Sequence, residues 1–467
     1  MRIVIIIPPY RGLVGFPLGI ASLAKAIDAD KKHRVHIIDF AKLGFNNDEA
    51  KAFIESNLKD IDIFGISSTT LSYKSALEIA GYIKNVFKSK LVIFGGIHPT
   101  ITADSVLTRN PQVDIVVRGE AEETLPSLLN NISKGRYCRG VKGCSYRDKT
   151  QIIHNEDACP ILNLDKLGFR YNGLVSRRDY STEVFHERLP STSLITSRGC
   201  LFRCSYCIQS RNYEMPRIRY RSVENVIEEI IYLISQGYVD LHFEDDIFTF
   251  NRNRIIQLCN ELAKLDFTIT WNCETRPDHV DYELLEKMKS AGCTGIFYGV
   301  ESFSQSILDQ VDRRIDINRT KRGIVIAKEI GLKVFASIQI GLPGESEKTI
   351  ETTIRTLEKI QPWKVGLNLA TLYPGTLWFK QSGYPPDIYE NYPLEPELDE
   401  FLFEYVGHGM GGLHPYFINP KADISAPPVH DINAIRKIFE KFKRELGQIV
   451  WTSHTESLSR MGPKIDG

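Results

Sequence analysis

Residues 194–210 read LITSRGCLFRCSYCIQS. A short apolar run ends in a polar exit at Arg198 and Gly199. Three cysteines follow at once, Cys200, Cys204 and Cys207, with three and then two residues between them. The run opens a regular series. Strand-like segments at 194–199, 240–245, 268–274, 295–301, 333–341 and 364–373 alternate with helical patterns at 222–236, 251–264, 281–291, 304–331 and 346–360. The last of these helices carries the apolar stripe Ile350, Ile354, Leu357 and Ile360 expected of a face packed on a sheet. Six strands fall short of the eight that close a TIM-type barrel. The series therefore predicts a partial (β/α)6 barrel, open on one side toward a larger substrate. The cysteines then lie at its C-terminal mouth, the functional face of parallel barrels.

Upstream, a second alternation runs from the first residue. Apolar, β-branched runs at 2–7, 34–39, 62–67, 91–96 and 113–119 are separated by helical patterns at 16–29, 47–58, 71–88, 102–109 and 121–134. Continuous rather than alternating hydrophobicity marks strands buried on both faces. The prediction is α/β: an N-terminal doubly wound, five-stranded parallel sheet of Rossmann-like form. The loops after its strands are rich in Gly, Ser and Thr, which suits either backbone approach to a bulky polar ligand or simple turn geometry. Residues 136–190 form a connecting segment with a small hairpin. The aromatic-rich tail contains a helical pattern at 432–449 and reads as a small C-terminal cap. The expected division is 1–135, 136–190, 191–375 and 376–467. HGMGGLHPYF (408–417) in the tail reads as a flexible turn or a substrate loop.

Composition narrows the class. The 467 residues contain 58 Lys plus Arg and 58 Asp plus Glu. Zero net charge gives no support to a nucleic-acid partner. No long apolar run is present and the N-terminus lacks a signal-peptide pattern, so no membrane span is expected and a cytoplasmic location is the default. There the nine cysteines are reduced. Six are scattered and read as small buried hydrophobes. The cluster at 200–207 is different. Thiolates hold iron–sulfur clusters, and three ligands leave one iron open. Zinc is the competing metal, but it would want a fourth Cys or His, and none lies between 195 and 220.

C-x3-C-x2-C after the first barrel strand, with Tyr206 just before the third cysteine, resembles the radical S-adenosylmethionine superfamily. The resemblance implies a 4Fe–4S cluster on Cys200, Cys204 and Cys207. It further implies S-adenosylmethionine chelated to the open iron and split by one electron into methionine and a 5′-deoxyadenosyl radical. Other strand ends match in order: HFEDD (242–246), WNCETRPD (271–278), YGVES (298–302) and GLPGES (341–346). They imply cofactor contacts from Glu244, Asp245, Glu274, Arg276, Glu301, Ser302, Gly341, Pro343 and Gly344, with Asp246 a further acceptor beside the methionyl amine.

The N-terminal segments PLGIASLAKAI, GISSTT, GGIHPT and VDIVVRGEAEETLPSLL resemble the cobalamin-binding domain of cobalamin-dependent radical enzymes. They imply a cobalamin site near Ser67, Ser68, Gly95, Gly96, His98, Gly119 and Glu120. The chain lacks the D-x-H-x-x-G motif that supplies a histidine to cobalt, so His98 is placed near the cofactor and not on the metal. The resemblance implies a radical enzyme, most simply one that methylates an unactivated carbon of a small-molecule substrate. It also implies a low-potential electron donor such as flavodoxin or ferredoxin. The alternatives are non-methylating cyclisation, oxidation or rearrangement, and a non-catalytic cluster or zinc protein.

Overall fold

The computed structural model describes residues 1–10, 15–29, 31–171, 174–180, 188–208, 218–384 and 432–450. Stretch 408–417 lies outside these. Among the described residues, the first unit is a seven-stranded sheet. Strands β1 (Arg2–Ile7), β2 (Arg34–Asp39), β3 (Ile63–Ser67), β4 (Leu91–Gly95) and β5 (Ile115–Val117) are parallel, in the order β2-β1-β3-β4-β5. The hairpin of the connecting segment, β6 (Cys144–Asp148) and β7 (Gln151–His154), adds two antiparallel strands beyond β5. The expected five strands are thus a parallel core within a longer mixed sheet. The hairpin covers an edge whose N–H and C=O groups would otherwise lack partners.

Successive residues of each strand enter opposite cores. Val4, Ile6, Phe64, Ile66, Val92 and Phe94 pack on one face, and Ile3, Ile5, Ile63, Ile93, Ile115 and Val117 on the other. Helices α1 (Leu18–Asp28), α2 (Asn47–Asn57), α3 (Tyr73–Val86), α4 (Ile97–Arg109) and α5 (Thr124–Ser133) cover the two faces. Helix α4 starts five residues earlier than the sequence pattern predicts. Gly96 (φ +96°) turns the chain straight out of β4, and Pro99 falls in the first helical turn, where a missing N–H costs nothing.

The second unit is a six-stranded parallel sheet in chain order: β8 (Ser191–Leu194), β11 (Asp240–Phe243), β12 (Thr270–Thr275), β13 (Cys293–Glu301), β14 (Lys333–Ile340) and β15 (Lys364–Leu369). Its outer face buries Leu241, Phe243, Trp271, Tyr298, Ile338 and Leu367 against helices α6 (Val223–Ser235), α7 (Arg252–Leu262), α8 (Tyr282–Ser290), α10 (Ile317–Glu329) and α11 (Glu347–Ile360). Strand alternation sends His242, Glu244, Asn272, Glu274, Ser337 and Asn368 to the inner face. The sheet thus has an oily outside and an inside where these polar groups surround the stacked rings of Phe297 and Phe335.

Three expectations are corrected here. The first barrel strand is β8, ending at Leu194. Residues 197–198 instead form β9 (Ser197–Arg198), which pairs antiparallel with β10 (Arg219–Tyr220). The departure is held by buried Asp245, which accepts from Thr196 N (3.0 Å), Thr196 Oγ1 (2.8 Å) and Ser197 Oγ. The helical pattern at 304–331 is two helices, α9 (Gln305–Gln310) and α10, with a break between them. Finally, the tail helix α13 (Ile432–Leu446), which follows α12 (Leu377–Ser382), packs its Phe439 and Phe442 into the outer core beside α11. Val450 bridges Val365 at the start of β15, so this part of the tail flanks the barrel and does not cap its mouth.

Candidate active site at the junction of the two sheets

The cysteine loop leaves β9 at Gly199. Its tight turn is closed by Cys207 N donating to Cys204 O (3.0 Å). Ser205 N donates to Val311 O (2.9 Å), and Ser205 O accepts from Trp378 N (3.0 Å). Phe202 lies under the guanidinium of Arg276 (3.7 Å to the ring centroid) and meets His279 edge-on. Cys204 is buried, and Cys200 and Cys207 are half-buried. Burial raises the Cys200 thiol above its ordinary value, and the nearby charges of Asp246 and Cys204 add to that. Among the described residues, no three Cys, His, Asp or Glu side chains converge as ligands of a single ion. Thiolates that each hold a different iron of a cubane need not converge.

The barrel mouth adds carboxylates. Glu244 and Asp246 face a cavity of about 670 Å³ between the two sheets. Burial, the adjacent Asp245 and Glu274 push Asp246 up to about 6, against a hydrogen bond from Gly199. Burial also raises Glu244. Asp245 does not join them, because its oxygens are taken by Thr196 and Ser197 and it is fully buried. Glu274 projects into the barrel beside His242 (3.4 Å), whose Nδ1 meets Asn272 Oδ1. Burial works against charge on His242, but hydrogen bonds and charge from Glu274 raise its pKa.

Arg276 is equally committed. It pairs with Asp278 and donates to the carbonyls of Arg313 and Arg314 (3.0 and 3.2 Å), so it supports the loop and does not reach the cavity. Ser302 is buried against Thr353 of α11 and caps Ser304 N (3.1 Å). Glu301 differs: it is buried at positive φ (68°), and its Oε2 has no partner among the described residues. Gly341 N donates to Glu345 (2.6 Å), whose burial pushes its carboxyl up to about 8. Gly341 and Gly344 both take positive φ, around Pro343.

The opposite wall is the C-terminal edge of the first sheet, at the strand-order reversal between β1 and β3 where open α/β sheets bind ligands. Ser67, Gly95, Gly96, Gly119 and Glu120 line the cavity. A Cβ on Gly96 would fall 2.5 Å from Ser68 O, so only glycine lets the two loops lie together. Ser68 Oγ is buried with no partner among the described residues. His98 is not in the wall. It is buried in the first turn of α4, tilted against the Tyr73 ring (4.0 Å between centroids) and bonded to Thr70 Oγ1 (3.0 Å). Burial pushes its pKa down to about 3, so it is neutral.

Glu120 has a role the sequence did not suggest. Its carboxylate is gripped bidentately by Arg219 (2.7 and 2.8 Å), by Ile161 N (2.7 Å) and by Arg198 (3.3 Å). Glu122 takes the other arm of Arg198 (2.7 Å) and Ser22 Oγ (2.9 Å). Burial alone would raise Glu120; Arg219 and Arg198 pull it below the usual range. This buried network ties the fifth loop of the first sheet to the β9–β10 ribbon that launches the cysteine loop. Arg198, Arg219 and Glu122 were not predicted. The spacing of Arg219 and Arg221, both buried at and just after the short strand β10, was the available signal.

A doubly wound sheet faces a partial parallel barrel, with three thiols on the first loop of the barrel mouth. The comparisons name the family. Residues 194–357 match the Radical SAM superfamily and residues 10–129 the B12 binding domain. An uncharacterized methyltransferase of Pyrococcus horikoshii is 33% identical over 390 residues, covering 81% of this chain and 82% of that protein. The anaerobic magnesium-protoporphyrin IX monomethyl ester cyclase of Rubrivivax gelatinosus is 27% identical, covering 84% and 71%. The radical S-adenosylmethionine methyltransferase TsrM from Kitasatospora setae, solved with cobalamin and a [4Fe-4S] cluster, superposes with a TM-score of 0.69 at 18% identity, covering 85% and 76%; this likeness shows the fold. The chain belongs to the cobalamin-dependent radical S-adenosylmethionine enzymes. Its cofactors are a 4Fe–4S cluster, S-adenosylmethionine and cobalamin. It acts on a small molecule and needs a reductant. No helix among the described residues is long and apolar enough to cross a membrane.

The residues present fit these groups. The donor set at 200–207 is all thiol, adjoining carboxylates and a buried cation. Glu301 Oε2 is a buried acceptor with no donor among the described residues. The cavity joins the switch point of the first sheet to Gly199 at the root of the cysteine loop.

Proposed function

We propose that this enzyme methylates an unactivated carbon of a small-molecule substrate. The observation that carries this reading is the single cavity shared by the first sheet's loops and the barrel mouth, with the cysteine loop at its rim. When bound, the cluster supplies the electron that cleaves S-adenosylmethionine, and cobalamin supplies the route for the methyl group. Cys200, Cys204 and Cys207 hold the cluster, with Tyr206 against it. Glu244, Asp246 and Glu301 provide acceptors for the ammonium and hydroxyl donors of S-adenosylmethionine. Gly341, Pro343 and Gly344 turn the backbone toward its adenine. Ser67, Ser68, Gly95, Gly96 and Gly119 present backbone and small side chains to cobalamin. Glu120, on the cavity wall, and Arg276, outside the cavity, position the loops. The inner barrel face, with His242, Asn272, Glu274 and Asn368, binds the substrate and keeps water from the radical. Flavodoxin or ferredoxin is the natural class of donor, and the nine unbridged cysteines suit a reducing, cytoplasmic setting.

Anaerobic reconstitution tests this. The protein should turn brown, release 5′-deoxyadenosine on reduction and retain cobalamin from a supplemented host. Cys200→Ala, Cys204→Ala and Cys207→Ala should each abolish the release; persistence in any one refutes the ligand assignment. Similarity to the cyclases favours a second reading, radical ring closure without methylation. Product mass separates the two, since methylation adds one CH2.

A further inference from the structure

The break between α9 and α10 brings one cation to the cysteine loop. Asp312 and Arg314 take positive φ (51° and 49°), and Arg313 between them turns inward and is buried. Arg276 holds the backbone of this break from the end of β12. The Arg313 guanidinium donates from Nη1 to Cys204 Sγ (3.8 Å) and Tyr206 OH (3.3 Å), and from Nη2 to Gly299 O. Glu301 Oε1 lies 3.4 Å from Nη2. Gly299 leaves the guanidinium room: a Cβ there would sit 2.9 Å from Nη2 and 3.0 Å from Glu301 Oε1.

We propose that Arg313 sets the reduction potential of the cluster, through a fixed positive charge and an N–H···S hydrogen bond to the Cys204 thiolate. The inference rests on the three cysteines being cluster ligands and adds a positioning and tuning residue to them. The step concerned is uptake of one electron from an external reductant, with no bond formed or broken. That electron adds negative charge to the cluster and its sulfurs. A buried cation and donor beside one sulfur stabilise the reduced form more than the oxidised form, which raises the potential. Arg serves better than Lys, because a guanidinium keeps its charge when buried and its fork reaches Cys204, Tyr206 and Gly299 together.

The test is a redox titration of the anaerobically reconstituted protein, without S-adenosylmethionine, followed by electron paramagnetic resonance. Arg313→Gln should move the midpoint negative, lowering the reduced-to-oxidised ratio at a fixed potential about tenfold, a shift of about 59 mV for a one-electron couple. Arg313→Lys should fall between wild type and Arg313→Gln. Gly299→Ala, which keeps the arginine but displaces it, should shift in the same direction. Unchanged midpoints in Arg313→Gln and Gly299→Ala overturn the proposal while leaving a cysteine-dependent cluster intact. If Arg313→Gln assembles no cluster, Arg313→Lys and Gly299→Ala decide on the same criterion. Iron bound independently of the three cysteines would overturn the ligand reading, and this proposal with it.

Discussion

The two walls of the cavity are built from different materials. On the first sheet, the wall is glycine, serine and exposed backbone: Ser67, Gly95, Gly96 and Gly119. On the barrel side it is charge: Arg198, Arg219, Arg221, Glu244 and Asp246. A large, rigid ligand needs close backbone approach, and small residues permit it. A site that accepts an electron needs fixed charges that do not reorganise when the charge changes. The Glu120–Arg219 and Glu122–Arg198 pairs join the walls, so each can be built for its own task while their spacing stays set.

This contrast can be broken from either side. The largest effect falls on the barrel wall, where loss of any one of Cys200, Cys204 and Cys207 should bring 5′-deoxyadenosine release to background. Next comes the join. Glu120→Gln leaves Arg219 without its buried partner, which should cost about 3–5 kcal/mol in chemical unfolding. It should also weaken cobalamin uptake, measured by absorbance, without removing the cluster thiols. Unchanged stability would show that the pair does not hold the units together.

The first sheet's wall should be sensitive to a single methyl group. Gly96→Ala places a side chain at φ +96° against Ser68 O, a strain of about 1–3 kcal/mol. Cobalamin binding should fall while iron content stays at the wild-type level; equal cobalamin content would remove Gly96 from the site. The smallest effect concerns His98. The folded state holds it neutral, with a pKa near 3, so below pH 6.5 the unfolded chain binds a proton that the folded chain does not. Stability should then fall as pH drops, by about 1.4 kcal/mol at most over the first unit below 6.5. Urea midpoints at pH 6.5 and 5.5 measure it, and His98→Asn should shrink the difference. No change between the two proteins would refute the neutral, buried assignment.

Much of the site was legible in the sequence, for a reason that varies by residue. Cys200, Cys204 and Cys207 are adjacent in the chain, so their spacing carries their chemistry. Glu244 and Glu301 stand at strand ends, where period-two alternation aims them at the mouth. Asp245 and Arg276 stand equally well in the motifs, yet their side chains are spent on Thr196, Ser197, Asp278 and two carbonyls. A motif places a residue at a strand end; it does not say which neighbours reach it first.

The sequence by itself determined the two βα series and the thiol cluster, because hydrophobic period and short-range spacing are local properties. Only the tertiary structure decided what lies across the cavity. Arg198 meets Glu122 across 76 residues of chain, and Arg219 meets Glu120 across 99. Arg313 reaches Cys204 only because a stretch with an unbroken helical pattern is interrupted at 311–316 and clamped there by Arg276. Desolvation makes those buried charges demand partners, and which partners they find depends on how the two sheets dock.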